Sequence, residues 1–459
     1  MLEQNAVKPW PVALSGKKVY IETYGCRYNN GDSEKLWEIL KHRACTRAMT
    51  DEEADAVIVN TCTVVGSTER RMLRRLSQLQ GRDLYVTGCM PEVQKGAILA
   101  VCDPRFIPHA DIREQYRRIG TITPSPVATV QIAEGCSGAC TYCITRKARG
   151  SLKSVSLTEI LNRIMAFAET GSAEIQLTAQ DASAWGRDKD RTLADLIRAI
   201  GEVDGKFFVR VGMMNPATML DILDDLVESF AAGNLFRFIH VPVQSGSDRI
   251  LRRMGRGYRR EDFEQIVAAF RRRYPDIIVA TDMIVGFPGE EEDDFSESLS
   301  LLQKLRFNKV NVTRYSKRPD TPASGLKDSP DAIKKERSRS MQVCAEEIYR
   351  EIHALYIGQR VPFIVTEQIR KGTVLARTPS YLGIVLEEDL PAGFSGIAEI
   401  KEQSIYYLKG VRVDRTDGFP PSGQRMVNAF KFSQDLNEHD SQLLFDPPMD
   451  FCQCLNRYK

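Results

Sequence analysis

The chain has no long apolar run. None of its hydrophobic stretches approaches the roughly 18 residues of a membrane span, so no membrane partner is expected. It also has no excess of charge: 63 Lys and Arg face 61 Asp and Glu, a net of +2. No chain-wide basic field announces a nucleic acid, and such a partner would have to be met by local patches. Residues 1–11 include Glu3, Lys8 and two prolines and lack the form of a signal peptide. No internal repeat or long low-complexity segment is visible. What is plentiful is cysteine, with 11 in 459 residues. In a large chain without secretory features, that number points to metal ligands rather than a disulfide framework, and to the cytoplasm.

Cys136, Cys140 and Cys143 stand in EGCSGACTYC, a CxxxCxxC triplet. Ordinary four-iron ferredoxin sites close the cubane with a fourth Cys, but here the next Cys is Cys344. Three thiolates this close suit three irons of a 4Fe-4S cluster and leave the fourth iron open. An open iron can bind the amino and carboxylate groups of S-adenosyl-L-methionine (SAM). Electron transfer into that ligand can cleave it to a 5′-deoxyadenosyl radical, chemistry that belongs to the cofactor. The alternative is a structural zinc site or three buried thiols, although zinc sites usually take CxxC pairs and a fourth ligand. The triplet resembles the signature of the radical SAM superfamily.

Hydrophobic periodicity predicts an α/β chain. Residues 18–23, 56–60 and 84–87 read as strands, alternating with helices at 32–42 (Asp32 the candidate N-cap) and 67–80. That spacing implies a small parallel sheet. Residues 121–127, with Pro124 and Pro126, read as an extended linker. About six βα units follow, with strands near 128–132, 174–178, 207–211, 238–241, 279–284 and 309–312, which fits a partial TIM-type barrel. A charged helix is expected from 331 to about 355, then short strands with Gly turns that suggest a small closed β-barrel. The expected domains are therefore residues 1–120, 121–355 and 356–413, with a polar extension at 414–459.

Cys26, Cys62 and Cys89 each follow a predicted strand. The C-terminal ends of parallel strands converge on one edge, so these three thiols could hold a second cluster with an open iron. Gly25 and Gly88 would let the backbone approach closely. Singly, each could equally be a small buried residue at a strand end. Cys45, Cys102 and Cys344 read as isolated, and the Cys452/Cys454 pair as an end without a role.

TYGCRYNNGDSE, NTCTV, VTGCM, the CxxxCxxC triplet, LTAQDASAWG, RVGMMNP, VPVQSGSDRILRRMGRGY, TDMIVGFPGE and YSKRPDTPA occur in order between residues 18 and about 325. In these the chain resembles the methylthiotransferase family of radical SAM enzymes. RVGMMNP and Gln180-Asp181 are most similar to its archaeal and eukaryotic branch, which acts on threonylcarbamoyl-adenosine beside the tRNA anticodon. The resemblance implies an N-terminal iron–sulfur domain, a radical SAM partial barrel and a TRAM-like β-barrel. It also implies two 4Fe-4S clusters, two SAM molecules, a tRNA substrate, a sulfur donor, and a reductant such as a flavodoxin or ferredoxin. The expected product carries a 2-methylthio group. The alternatives are methylthio transfer to a protein or peptide side chain, and an iron–sulfur RNA-binding or electron-transfer protein. The chain departs from the family at Asp320, where Gly is usual. Residues 356–413 carry seven Lys or Arg against six Asp or Glu, which is no strong phosphate patch.

Polar residues after barrel strands tend to be functional. Tyr142 is expected to stack near the SAM adenine, and Arg210 to pair with the methionine carboxylate through its fork. Gln180, Asp181, Gln244 and Asp282 are further candidates for SAM or substrate. Six arginines fall between residues 249 and 260. Of these, Arg252, Arg253, Arg256 and Arg260 are expected to contact RNA phosphates, unless they serve surface salt bridges. Arg70, Arg71, Arg74 and Arg75 form a second basic group.

Overall fold

The computed structural model describes residues 10–119 and 122–413. The N-terminal unit is a five-stranded parallel sheet in the order Thr46–Arg47, Lys18–Thr23, Ala56–Thr61, Leu84–Gly88, Arg105–Phe106. Its central strand is buried throughout, because helices cover both faces. Alternate side chains go to opposite sides. Ile58 joins Leu36, Ile39 and Ile112 on one side, and Val57 and Val59 join Met72, Leu76 and Ile98 on the other.

The helix expected at residue 32 begins earlier, at Arg27, with Cys26 at its N-cap. Asn29, Asn30 and Gly31 are poor helix formers, but tertiary contacts hold the added turn. The Asn29 amide donates to the carbonyls of Tyr24 and Thr61, both at 2.8 Å. Gly31 lies so close to the Val127–Gln131 strand that a Cβ there would sit 3.1 Å from Thr129 Cγ2.

Six further strands form two parallel three-stranded sheets. One has the order Phe208–Arg210, Glu174–Thr178, Val127–Gln131, and the other Phe238–His240, Ile278–Val285, Lys309–Arg314. Parallel bridges at Val209–Leu235 and Met213–His240 join them into a curved, partly closed barrel. Its outer face packs on helices that include Leu157–Glu169, Arg260–Arg273, Glu292–Leu305 and Asp331–Ala354. The first strand, Val127–Gln131, does not pair with the last, Lys309–Arg314.

The N-terminal unit straddles that gap. Its helix Arg27–Lys41 lies on the first strand, where Gln131 Nε2 donates to Tyr28 O and Asp32 Oδ1 at 2.9 and 2.8 Å. Beyond the last strand, Arg318 donates to Thr63 O at 3.2 Å and pairs with Glu69. The C-terminal unit is a closed five-stranded barrel of Arg360–Arg370, Thr373–Arg377, Gly383–Leu386, Leu408–Val413 and Ser395–Gln403. Its core includes Phe363, Val365, Val374, Ile384 and Ile400. Residues 414–459, with Cys452 and Cys454, lie outside the described residues.

Candidate active site

Strand register gathers the first cysteine triad. Thr23 pairs with Asn60, Asn60 with Thr87, and Thr61 with Gly88, so Cys26, Cys62 and Cys89 emerge together at one sheet edge. Two left-handed glycines make the turns. Gly25 has φ +104°, and a Cβ there would sit 2.9 Å from Cys62 Sγ. Gly88 has φ +94°, and its Cβ would run into Thr61 O. Cys26 is exposed while Cys62 and Cys89 are buried. Burial raises the Cys62 thiol and pushes that of Cys89 up to about 11, and each of these two lies within electrostatic reach of the other triad members.

The second triad hangs on the loop after the first barrel strand. Gln180 Oε1 accepts from Gly135 N at 2.7 Å, and Cys136 N donates to Gly150 O at 3.2 Å. Gly138, whose Cβ would lie 3.3 Å from Cys136 Sγ, leaves space beside the thiols and donates to that sulfur at 3.2 Å. Burial pushes Cys136 up to about 11, with Asp181, Cys143 and Cys140 adding to the shift. Among the described residues no three His, Cys, Asp or Glu groups converge on one metal ion. A cubane presents its irons at separate corners, and an all-cysteine set of three suits three of those corners. Cluster binding would have to displace the protons that Cys62, Cys89 and Cys136 hold more firmly than usual.

Each triad is served by one guanidinium. Arg149, at the end of the short helix after Cys143, reaches into the N-terminal unit and is 4% exposed. It donates to Cys89 Sγ at 3.2 Å and Asn29 Oδ1 at 2.9 Å, and pairs with Asp32 at 2.8 Å. Arg256 donates to Cys140 Sγ at 3.1 Å, to Asn215 Oδ1 at 3.1 Å and to Tyr258 Oη at 2.9 Å.

Two family models match, the Radical SAM superfamily at residues 130–302 and Uncharacterized protein family UPF0004 at 18–105. A probable threonylcarbamoyladenosine tRNA methylthiotransferase of Pyrococcus abyssi is 40% identical over 426 residues, covering 86% of this chain and 99% of that protein. The chain belongs to the radical SAM tRNA methylthiotransferase family. A probable threonylcarbamoyladenosine tRNA methylthiotransferase of Archaeoglobus fulgidus is 38% identical over 81% of this chain and 93% of its own. A tRNA-2-methylthio-N(6)-dimethylallyladenosine synthase of Aquifex aeolicus is 30% identical over 86% and 98%. Among solved structures, the radical SAM methyltransferase TsrM of Kitasatospora setae is similar at 13% identity and a TM-score of 0.46, over 67% of this chain and 76% of that one. No described helix is long and apolar enough to cross a membrane.

As a radical SAM methylthiotransferase the protein is an enzyme of tRNA modification that uses SAM and 4Fe-4S chemistry. Its other candidate residues fall in several places. Tyr142 lies in the cluster loop, 6.1 Å from the Phe287 ring, and burial raises its phenol well above the usual range. Gln180 holds the loop, as above. The Asp181 carboxylate accepts from Ser183 Oγ at 2.7 Å, Thr218 Oγ1 at 2.9 Å and Asn215 N at 3.1 Å, so it braces the turn beside the cluster loop. Gln244 takes a left-handed φ of 72° between the carbonyl of Asp282 and the amide of Ile284. Asp282 faces the barrel lumen, and Arg210 lies deep in it.

The arginines expected on RNA divide. Arg256 is a correction, since its guanidinium is inside, on the cluster loop, and not on a phosphate-facing surface. Arg252 and Arg260 line a surface pocket of about 480 Å³ with Arg249. Asp248, Glu291, Asp293, Asp294 and Glu297 share that pocket, so its balance is acidic. Arg260 is paired with Glu264 at 3.0 Å. Arg253 is exposed beside Pro288 and Gly289. In the other basic group, Arg75 pairs with Glu22 and Asp51 at 2.9 and 2.8 Å.

Sequence reading missed Arg149, His240, Lys309, Arg377 and Tyr381. Only Lys309 carried a signal. In Lys-Val-Asn-Val-Thr-Arg the apolar phase falls on Val310 and Val312, which leaves Lys309, Asn311 and Thr313 as a polar phase for the inside of a barrel.

Proposed function

We propose that this chain installs a 2-methylthio group on N6-threonylcarbamoyladenosine next to the tRNA anticodon, with two 4Fe-4S clusters and two SAM molecules. The single observation behind the two-cluster reading is Arg149. Its backbone belongs to the short helix after Cys143 and its buried guanidinium touches Cys89, which supports two neighbouring sites. Bound there, the cofactors would supply a radical at the loop triad and a methylated sulfur at the other. The protein's own groups hold the thiols in place. Relatives from Pyrococcus abyssi and Archaeoglobus fulgidus that bear the threonylcarbamoyladenosine name match nearly end to end, which supports the substrate.

The deciding experiment is nucleoside mass spectrometry of tRNA from cells with and without this gene. Loss of 2-methylthio-N6-threonylcarbamoyladenosine, with the unthiolated nucleoside accumulating, is the expected result. Loss of a methylthio-dimethylallyl nucleoside instead would overturn the substrate.

A further inference from the structure

The inner face of the barrel is polar above an aromatic floor of Phe208, Phe236, Phe238 and Tyr381. A closed TIM barrel fills its interior with branched aliphatic side chains. Here strand alternation sends those outward. Val310 packs in the outer core with Met341, Ala345 and Ile348, so Lys309 and Asn311 point inward. Val209 and Ile239 likewise lie in that core, which turns Arg210 and His240 to the lumen.

The carboxylates of this lumen are already committed. Asp282 is held by His240 Nε2 at 2.8 Å and Asn311 Nδ2 at 2.7 Å. Glu174 accepts from Tyr381 Oη at 2.6 Å and from Gln176 Nε2 at 2.5 Å. The cations are not. Lys309 makes no hydrogen bond or ion pair among the described residues. Arg210 lies between the rings of Phe238 and Tyr381, at 5.0 and 5.3 Å, and its buried Nε has no partner. Arg377 stacks on Tyr381 at 4.5 Å, and its Nε is also buried without a partner. Partial desolvation, then Arg210 and Arg377, pull Lys309 below the usual lysine range against the opposing charge of Asp282, although much of the residue stays exposed. Each of these is a cation held near another cation, and the carboxylate within electrostatic reach of Lys309, Asp282, is already held by His240 and Asn311.

The place is the closed end of the lumen. Tyr381, from the C-terminal barrel, sits against Phe236 and Phe238 at the N-terminal ends of the strands. Arg210 is level with Gln176. Gln180, which holds the cysteine loop, is four residues farther along, past the end of the strand at Thr178. A SAM seated on the loop cluster keeps its carboxylate near that iron. The floor cations therefore face a different anion.

We propose that Lys309 and Arg210, backed by Arg377, bind the carboxylate of the threonylcarbamoyl substituent, and so select this substrate over adenosines with hydrocarbon substituents. The proposal rests on the substrate reading above. A threonylcarbamoyl group ends in a carboxylate, whereas a dimethylallyl group has no polar atom. A guanidinium fork and an ammonium give charge-assisted hydrogen bonds to the first. The second would bury them unanswered, which is the strong form of discrimination.

The test uses the full chain with both clusters reconstituted and no reductant. Binding is measured to anticodon stem–loop RNA carrying threonylcarbamoyladenosine, and to the same RNA with plain adenosine. Lys309→Met and Arg210→Gln should each weaken the first by about tenfold or more and leave the second within about twofold. Lys309→Arg should restore most of the affinity. SAM affinity should not change. Weakened SAM binding with unchanged RNA discrimination would assign these cations to the SAM carboxylate and overturn the proposal. So would undiminished preference for the modified RNA in both variants. A parent enzyme that methylthiolates dimethylallyl RNA and not threonylcarbamoyl RNA would instead sink the substrate reading itself. Parent turnover on threonylcarbamoyl RNA with variants that bind it as the parent does would sink this proposal alone.

Discussion

The two cysteine triads present the same three thiols by opposite means. Cys26, Cys62 and Cys89 come from three strands and are brought together by sheet register, so their geometry belongs to the whole N-terminal fold. Cys136, Cys140 and Cys143 lie within one loop, which a few backbone contacts to Gly150, Met254 and Gln180 hold to the barrel. The difference teaches where each site is vulnerable. The strand-end site should fail with its sheet, and the loop site with its immediate contacts.

The largest test removes either triad. The Cys136, Cys140 and Cys143 triple Ala variant should lose all methylthio transfer and all reductive SAM cleavage, with iron falling from about eight to about four per chain. The Cys26, Cys62 and Cys89 triple variant should lose transfer completely but still form 5′-deoxyadenosine. Iron analysis and product chromatography decide it, and a folded strand-end variant unable to cleave SAM would erase the distinction drawn here.

Next comes the guanidinium of each site. Arg149→Leu strands Asp32 and Asn29 in a buried setting, and breaking a buried pair costs about 3–5 kcal/mol. Chemical denaturation should show that loss. Arg256→Gln should cost less stability, because the half-buried Arg256 leaves no buried carboxylate behind. Its mark should be on the loop cluster, whose reduction potential should fall when the donor to Cys140 is removed. Equal destabilisation by the two variants would contradict the contrast.

A smaller effect is expected at the glycines. Gly88→Ala meets both a left-handed φ and Thr61 O and should destabilise by more than about 1 kcal/mol. Gly138→Ala has ordinary φ and a neighbour at 3.3 Å, so its effect should be confined to cluster loading. Parallel thermal melts and iron titrations separate them.

The smallest is a matter of pH. Glu34, on the Arg27–Lys41 helix beside Thr129, keeps much of its surface exposed, but desolvation of its carboxyl pushes it up to about 7 from 4.5. The folded state therefore holds this proton more tightly than the unfolded chain. The associated stability is full below pH 4.5 and is lost as pH rises through 7. The melting temperature of Glu34→Gln should fall less than that of the parent between about pH 5 and pH 8.

Local patterns were legible in the sequence and long-range ones were not. The loop triad could be read from spacing alone. The strand-end triad could be read because strand ends in a parallel sheet share an edge. The start of the Arg27–Lys41 helix could not, since Asn29 and Gly31 argue against a helix until Tyr24, Thr61 and Thr129 are seen around them. Arg149 lies 60 residues in sequence from the sulfur it touches, and no periodicity encodes that meeting. Tyr381 lies more than 200 residues from Glu174 and takes its place through a left-handed φ of 71° on a residue not known for it. Arg256 looked like part of a basic surface because composition counts arginines without saying which way they face.

Arg149 belongs to the loop side by sequence and to the strand side by contact, so the loading of the two sites is thermodynamically linked. Iron that fixes Cys89 as a thiolate strengthens its hold on Arg149, and with it the short helix that follows Cys143. Linkage is reciprocal. Whatever factor the first cluster added to the affinity for the second, the second would return to the first.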